Sequence, residues 1–254
     1  MEKTASIQVL DRAFSIVDVL SNCSESVSLA EISALTGISK STAFRILKSL
    51  RENGYVAQNA YGQYYMTLKI CTLSRRVLEK TSIISLAQPH MKRLCAITHQ
   101  TIHLVVREGT ETVYVNRQED DSAPFHMTSV IGRRRSLHTS AVGKSILAAL
   151  SNDEILNYWR AVDKVQITPY TIVNLDELFQ EIEKIREHGY AVDNQENTLG
   201  VRCIAAAIHD YIGTPSYAIS ISGPSEIMTD EKLERFAPFL LTTKASISVA
   251  LGSE

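Results

Sequence analysis

The sequence predicts an α+β protein of two domains, a helical head ending in a short hairpin and a larger body of strands separated by helices. Three observations carry this. Apolar residues recur at three- and four-residue spacing between cap signals over residues 7–54. Two β-prone runs then flank Asn59-Ala60-Tyr61-Gly62. Beyond residue 100, strand-like runs alternate with helical ones, and the helices are able to cover one face of a sheet.

The elements follow in order. Ile7, Leu10, Phe14, Val17 and Leu20 describe one buried face of a first helix. Ser28 and Glu31 form a capping box for a second, which stops at Gly37, where a positive φ makes the turn. Ser39 caps a third, running to Gly54, with Ala43, Ile46, Leu47 and Leu50 as its apolar stripe. Tyr55–Ala57 and Gln63–Met66 pair as a hairpin. Residues 67–80 read as a connecting helix and 82–99 as the helix that opens the second domain. Thr101–Arg107 and Thr112–Arg117 are strand-like. Residues 119–130 form an acidic loop with a short strand, and residues 131–137 carry the basic run Arg133-Arg134-Arg135. Helices are expected from about Ser140 to Leu150, at 153–161, at 175–188 before Gly189, and from Asp230 to Leu251. Strands are expected at Tyr190–Asp193, Ile204–His209 and Tyr217–Ser222.

Composition narrows the function. The chain has 254 residues, 26 basic and 28 acidic, for a net charge of −2. With 44% hydrophobic and 21% charged residues it is an ordinary globular protein. No apolar run approaches the roughly 18–20 residues a membrane span needs, and no signal-peptide core opens the chain, so no membrane association is expected. The four cysteines lack metal-ligand spacing, which predicts a reducing, cytoplasmic setting and neither metal nor cofactor. Near-neutrality excludes a packager that is basic all over. The charge is segregated, at +3 over residues 1–80 and −5 over residues 81–254.

A short helix, a glycine turn and a helix with a polar, basic outer face form a helix-turn-helix pattern, and the hairpin after it reads as a wing. Arg45 is placed to read a base through paired hydrogen bonds. Ser39, Lys40, Ser41 and Thr42, at the helix start, suit phosphate and groove contact. Lys69, Arg75 and Arg76 read only as a solvated helix face.

The body holds a second polar constellation. Ser136 to Ser145 places small residues and hydroxyls at a helix start, where free amides favour an anion. Gly143-Lys144-Ser145 invites a phosphate-loop reading, but His138 stands where that motif needs glycine. Asp193 to Asn197, then Gly200 to Cys203, form a further cluster, and Ser220 and Ser222 project to one side of a later strand. This set suits a small polar anion, with Asp193 accepting hydrogen bonds from its hydroxyls. An enzyme of small-acid metabolism using Cys203, His138 and Asp193 is the competing reading; in the plainer one, His138 caps its helix and Cys203 is a core thiol. The acidic residues 119–121 read as a solvated loop rather than a metal site.

With these residues in view, the chain from about Ser6 to Leu251 resembles the IclR-type bacterial transcriptional regulators. The marks are Leu29-Ala30-Glu31-Ile32, Gly37-Ile38-Ser39-Lys40-Ser41-Thr42, Asn53-Gly54-Tyr55, Leu137 to Lys144, Gly200 to Ala206 and Ser220 to Pro224. The resemblance implies a winged helix-turn-helix over residues 1–66, a linker helix over 67–81, and a GAF-like α/β effector-binding and oligomerisation domain over 82–254. It implies homodimers or homotetramers on double-stranded operator DNA, most often as repressors of catabolic genes, and no catalysis. It also implies a ligand pocket at the backbone of Ala141 and Val142 with Asp193, Cys203, Ser220 and Ser222, filled by a small organic acid, sugar acid or aromatic acid. Residues 131–138 look most like the sugar-acid regulators of the family. Two positions depart from the family pattern, Gln195 for a glutamate and Ala207 for a proline, and the first alters the charge expected near the pocket mouth.

Overall fold

The structure is a computed structural model that describes residues 7–78, 82–120 and 131–253, and the side chains of residues 74–78 are outside that description. The chain folds as two compact units, Met1–Thr81 and Ser82–Glu254. Among the described residues no helix is long and apolar enough to cross a membrane.

The first unit contains α1 (Gln8–Asn22), α2 (Leu29–Thr36), α3 (Lys40–Glu52), the antiparallel pair β1 (Val56–Gln58) and β2 (Tyr64–Met66), and α4 (Lys69–Leu78). Ser28 and Glu31 form the reciprocal capping box, and Gly37 ends α2 in the left-handed conformation with φ 69. In the hairpin turn, Asn59 Oδ1 accepts the amides of Tyr61 and Gln63 at 2.9 and 3.0 Å. Ala43, Ile46 and Leu47 of α3 pack with Ile16, Leu20, Ile32, Val56 and Tyr64 into one core.

The buried face of α1 differs from the sequence expectation. Leu20 is buried as expected, but Ile7 and Phe14 are 64% and 65% exposed and Leu10 is exposed too, and Ile16 is buried instead, with Ala13 beside it. Both stripes satisfy helical spacing. The core takes the one carrying small Ala13.

The second unit is a six-stranded antiparallel sheet in the order β5-β4-β3-β8-β7-β6. In chain order it contains α5 (Ile83–Thr98), β3 (Thr101–Glu108), β4 (Glu111–Gln118), β5 (Arg134–Ser136), a 3-10 turn (Leu137–Thr139), α6 (Ala141–Ala148), α7 (Asn152–Ala161), α8 (Leu175–His188), β6 (Ala191–Asn194), β7 (Val201–Ile208), β8 (Tyr217–Pro224) and α9 (Asp230–Ala250). The strand expected within residues 119–130 falls on residues 121–130, outside the described residues.

Helices cover both faces of the sheet rather than one. Ile102, Leu104, Ile204, Ala206, Ile208, Ile219 and Ile221 point to the side of α5 and α9. Val105, Ala205, Ala207 and Ala218 point to α6, α7 and α8. This is the period of two expected of strands buried on both faces. Ala207 sits in the second of these cores, opposite Ala218 of β8. The pairing of β3 with β4 shifts by one between Leu104 and Val105, where β4 carries the extra residue Val115 and β3 keeps its alternation.

Candidate DNA interface and ligand cavity

Ser39, Lys40, Ser41 and Arg45 are exposed at the start and on the outer face of α3, and Thr42 is half-buried. Ser39 caps the helix. Its Oγ accepts the Thr42 amide at 3.4 Å, donates to Thr42 Oγ1 at 3.0 Å and lies 3.2 Å from Ser41 Oγ. These hydroxyls therefore order the first turn, while the Lys40 and Arg45 side chains carry its positive charge outward. Phe44, 49% exposed beside Arg45, adds an apolar ring to this face that the stripe Ala43, Ile46, Leu47 left unread. Lys69 is more than a solvated charge. Its Nζ bonds the Asn53 carbonyl and lies 4.7 Å from the Tyr55 ring centroid, tying the first turn of α4 to the end of α3. The side chains of Arg75 and Arg76 lie outside the described residues.

In the second unit, the strand register brings polar residues from distant parts of the chain into one row. Asp193 of β6 stands opposite Cys203 of β7, Cys203 opposite Ser222 of β8, and Ser220 opposite His103 of β3. All five face the α6 side of the sheet and line a cavity of 580 Å³, which Ala141 and Val142 also line. Ser220 Oγ and Ser222 Oγ are 3.4 Å apart, and Ser222 Oγ lies 3.2 Å from His103 Nδ1. The start of α6 is capped by Ser140, whose Oγ accepts the Gly143 amide at 3.3 Å. Helix geometry leaves the first-turn amides without intrahelical acceptors, so Ala141 and Val142 bring hydrogen-bond donors and the positive end of the helix to the cavity.

α6 can sit this low because of Gly143. A Cβ there would stand 2.1 Å from the carbonyl oxygen of Leu137, inside the backbone of the 3-10 turn.

Burial sets the charge states of the cavity. Asp193 is pushed up to about 7 by its burial, then by the nearby Glu196 carboxylate, against the opposing pull of Lys144. Its Oδ1 accepts the Glu196 amide at 2.7 Å. His103 is lowered to about 4, by burial first and Arg117 second, so its ring is neutral at pH 7. Burial raises the Cys203 thiol and the Tyr114 hydroxyl well above their ordinary values, which keeps both protonated. Cys203 is thus a hydrogen-bonding thiol rather than a nucleophilic thiolate.

The remaining expectations separate. His138 neither caps α6 nor joins Cys203 and Asp193. It is buried away from the cavity, with Nδ1 2.6 Å from Tyr158 Oη and its ring against Trp159. The Cys203, His138 and Asp193 arrangement of the competing enzyme reading is therefore not assembled. Lys144 faces no phosphate loop either, being fully buried between Glu181 and Glu196. Gln195 does not line the cavity; its Oε1 accepts the Gly200 amide at 3.0 Å. In the acidic loop, Glu119 pairs with Arg117 and Asp120 with His99. Among the described residues no group of three or more His, Cys, Asp or Glu is placed to hold a metal.

Sequence reasoning missed His103, Tyr114, Arg133 and Arg135 as cavity-lining residues. The available signal was a lone histidine inside the apolar run Thr101–Val106, on the strand face that β8 continues with serines. Arg135 Nε donates to Asn197 Oδ1 at 2.7 Å, linking β5 to the loop after β6 across the cavity rim.

Comparison with known proteins agrees with both halves of this description. Residues 9–60 match the IclR helix-turn-helix domain, and residues 75–249 match the bacterial transcriptional regulator IclR C-terminal domain. The chain is 33% identical over 246 residues to the HTH-type transcriptional repressor AllR of Escherichia coli strain K12, covering 96% of this chain and 90% of that protein. It is similar in structure to the Thermotoga maritima IclR, at 34% identity and a TM-score of 0.65, covering 97% of this chain and all of that one. It is also similar to the Agobacterium tumefaciens repressor BlcR, at 27% identity and a TM-score of 0.76, covering 99% and 100%. A winged helix-turn-helix unit, a sheet with a polar cavity under a helix start, and these matches over nearly the whole length together make the chain a member of the IclR family of bacterial transcriptional regulators, which bind DNA and are not enzymes.

Proposed function

We propose that this chain is a repressor of a catabolic operon, released or recruited by a small organic or sugar acid bound in the cavity of the second unit. The observation that carries the reading is the meeting of the α6 helix start with Asp193, Cys203, Ser220 and Ser222 around one cavity. A carboxylate of the acid lies on the amides of Ala141 and Val142. Its hydroxyl or carbonyl groups bond the serines, the thiol and Asp193. Operator DNA is read by α3, with Arg45 on a base edge and Ser39, Lys40, Ser41 and Thr42 at the groove and backbone.

A homodimer presents two such helices to half-sites about one helical turn apart, and pairing of dimers gives a tetramer. In this reading residues 1–66 bind DNA, residues 67–81 transmit, and residues 82–254 bind the acid and assemble, all in the cytoplasm. The acid acts only through its difference in affinity between the two arrangements of the regulator, since equal binding to both switches nothing.

Thermal-shift screening with pyruvate, lactate, tartrate and gluconate tests the ligand half, because a bound acid raises the melting temperature by mass action. Loss of that shift in Asp193→Ala, with DNA binding kept, is the expected result. A shift unchanged by the substitution refutes the role of Asp193. For the DNA half, Arg45→Ala removes specific operator binding in a gel shift while far-UV circular dichroism stays the same. Tight, specific binding by that variant overturns the assignment.

A further inference from the structure

A buried cation stands behind the cavity wall. Lys144 lies one turn into α6 with no exposed surface, its Nζ 2.7 Å from Glu196 Oε1 and 3.0 Å from Glu181 Oε1 of α8. Burial disfavours its ammonium, but the two carboxylates outweigh this and hold its pKa above the ordinary value. Replacing such a buried arrangement with apolar groups often leaves stability unchanged or improves it, so packing alone does not explain it.

Glu196 is held through its Oε1, its carbonyl and its amide, while Oε2 is buried without a hydrogen-bond partner among the described residues. Its Oε1 takes Lys144 and, at 3.4 Å, the Asn194 amide. Its carbonyl accepts the hydroxyls of Thr168 and Thr171 at 3.1 and 2.7 Å. Its own amide goes to Asp193 Oδ1. Immediately before it, Gln195 adopts φ 65, a left-handed conformation that a non-glycine residue keeps only when its surroundings impose it.

We propose that Lys144, acting through Glu196, is the positioning residue for Asp193, fixing both the orientation and the charge of the carboxyl group in the cavity floor. The inference rests on the reading of that cavity as the ligand site. Lys144 belongs to the same short helix whose first turn lines the cavity. The amides at the start of α6 and the Asp193 carboxyl therefore stand on one hydrogen-bonded frame.

The charged and titratable groups around Asp193 are Cys203 from β7, Tyr114 from β4, Lys144 from α6 and Glu196 from its own loop. His103, Arg133, Arg135 and Glu226 line the same cavity. Of all these, Glu196 alone donates a hydrogen bond to Asp193 and is itself locked by a second buried charge.

The test is a carboxyl 13C titration of the full-length, perdeuterated chain labelled at aspartate, from about pH 5 to about pH 9. The Asp193 signal is assigned by its loss in Asp193→Asn. Glu196→Gln keeps an acceptor for Lys144 but removes the like charge, so the Asp193 midpoint falls by about one pH unit or more. Glu181→Gln, which touches Lys144 but not Asp193, moves it by less than half as much. In Lys144→Met the Glu196 amide resonance no longer titrates in step with Asp193. If that variant fails to fold, the comparison of the two glutamine variants decides. An Asp193 midpoint that is the same in wild type and Glu196→Gln overturns the proposal, as does an equal shift in Glu181→Gln. No ligand enters this measurement, so a failure to find any binding acid would sink the ligand-site reading while leaving the titration result standing.

Discussion

Replacing Gly143 by alanine pits helix propensity against packing. In an isolated helix the exchange favours alanine by about 1 kcal/mol. Here the new Cβ meets the Leu137 carbonyl oxygen at 2.1 Å, its Cα at 2.5 Å and its carbonyl carbon at 2.6 Å. Ordinary contact begins at 3.4 Å, so the nearest atom falls short by 1.3 Å. All three atoms are backbone, and no rotamer change relieves the overlap. α6 and the 3-10 turn must part, which loosens the core around Leu137, Ile146 and Leu147. Overpacking of this severity costs about 3 kcal/mol or more, leaving a net loss of at least about 2 kcal/mol. In a unit of this size that lowers the melting temperature by roughly 4–8 °C.

The single tryptophan, Trp159, is buried in this same core, so its fluorescence follows the melting of the second unit. Gly213→Ala is the control. With φ 77 and nothing within 4 Å of the added Cβ, it measures left-handed strain alone, about 1–2 kcal/mol. A Gly143→Ala chain that melts no lower than this control refutes the close-approach argument.

Three further outcomes are expected. The folded chain keeps a proton on Asp193 up to about pH 7, whereas the unfolded chain releases it near pH 4. Wild type therefore loses about 1.4 kcal/mol of stability per pH unit on rising from about pH 4 to 7 relative to Asp193→Asn, and nothing further above it; parallel pH profiles from urea melts would contradict this. Ser28→Ala breaks the capping box of α2 and costs about 0.5–2 kcal/mol in chemical denaturation of the first unit, and an unchanged midpoint would show the box to be idle. Ile16→Ala costs about 2–5 kcal/mol because Ile16 is fully buried, and a smaller loss than for Val17→Ala would mean the buried face of α1 is misassigned.

Local chemistry made most element boundaries legible. Ser28 with Glu31, Ser39, Gly37 and Gly189 are cap signals that need no tertiary partner to act, and the helices begin or end at them. The face of α1 was only partly legible, because Leu20 completes a helical stripe with Ile7, Leu10 and Phe14 as well as with Ala13 and Ile16. The convergence of the cavity residues lies in the strand order. Asp193, Cys203 and Ser222 become neighbours only when β7 pairs with both β6 and β8, which no spacing along the chain encodes. Their proposed role rests on residue chemistry and on the family resemblance instead. His103 and Tyr114 belong to no motif, and Lys144 imitates one, so the sequence undersold the first two and misdirected attention at the third.

The cross-strand row has a consequence for how such a protein can change. β6, β7 and β8 bring Asp193, Cys203, Ser220 and Ser222 to the cavity from positions paired within the sheet, while Gly143 lets the helix start sit close above them. If the cavity takes the proposed acid, ligand preference lies in side chains carried on a fixed backbone. One-residue exchanges at positions 103, 203, 220 or 222 re-cut the cavity without disturbing register. On the proposed function, a new chemical signal then needs only point mutations in the second unit and none in α3.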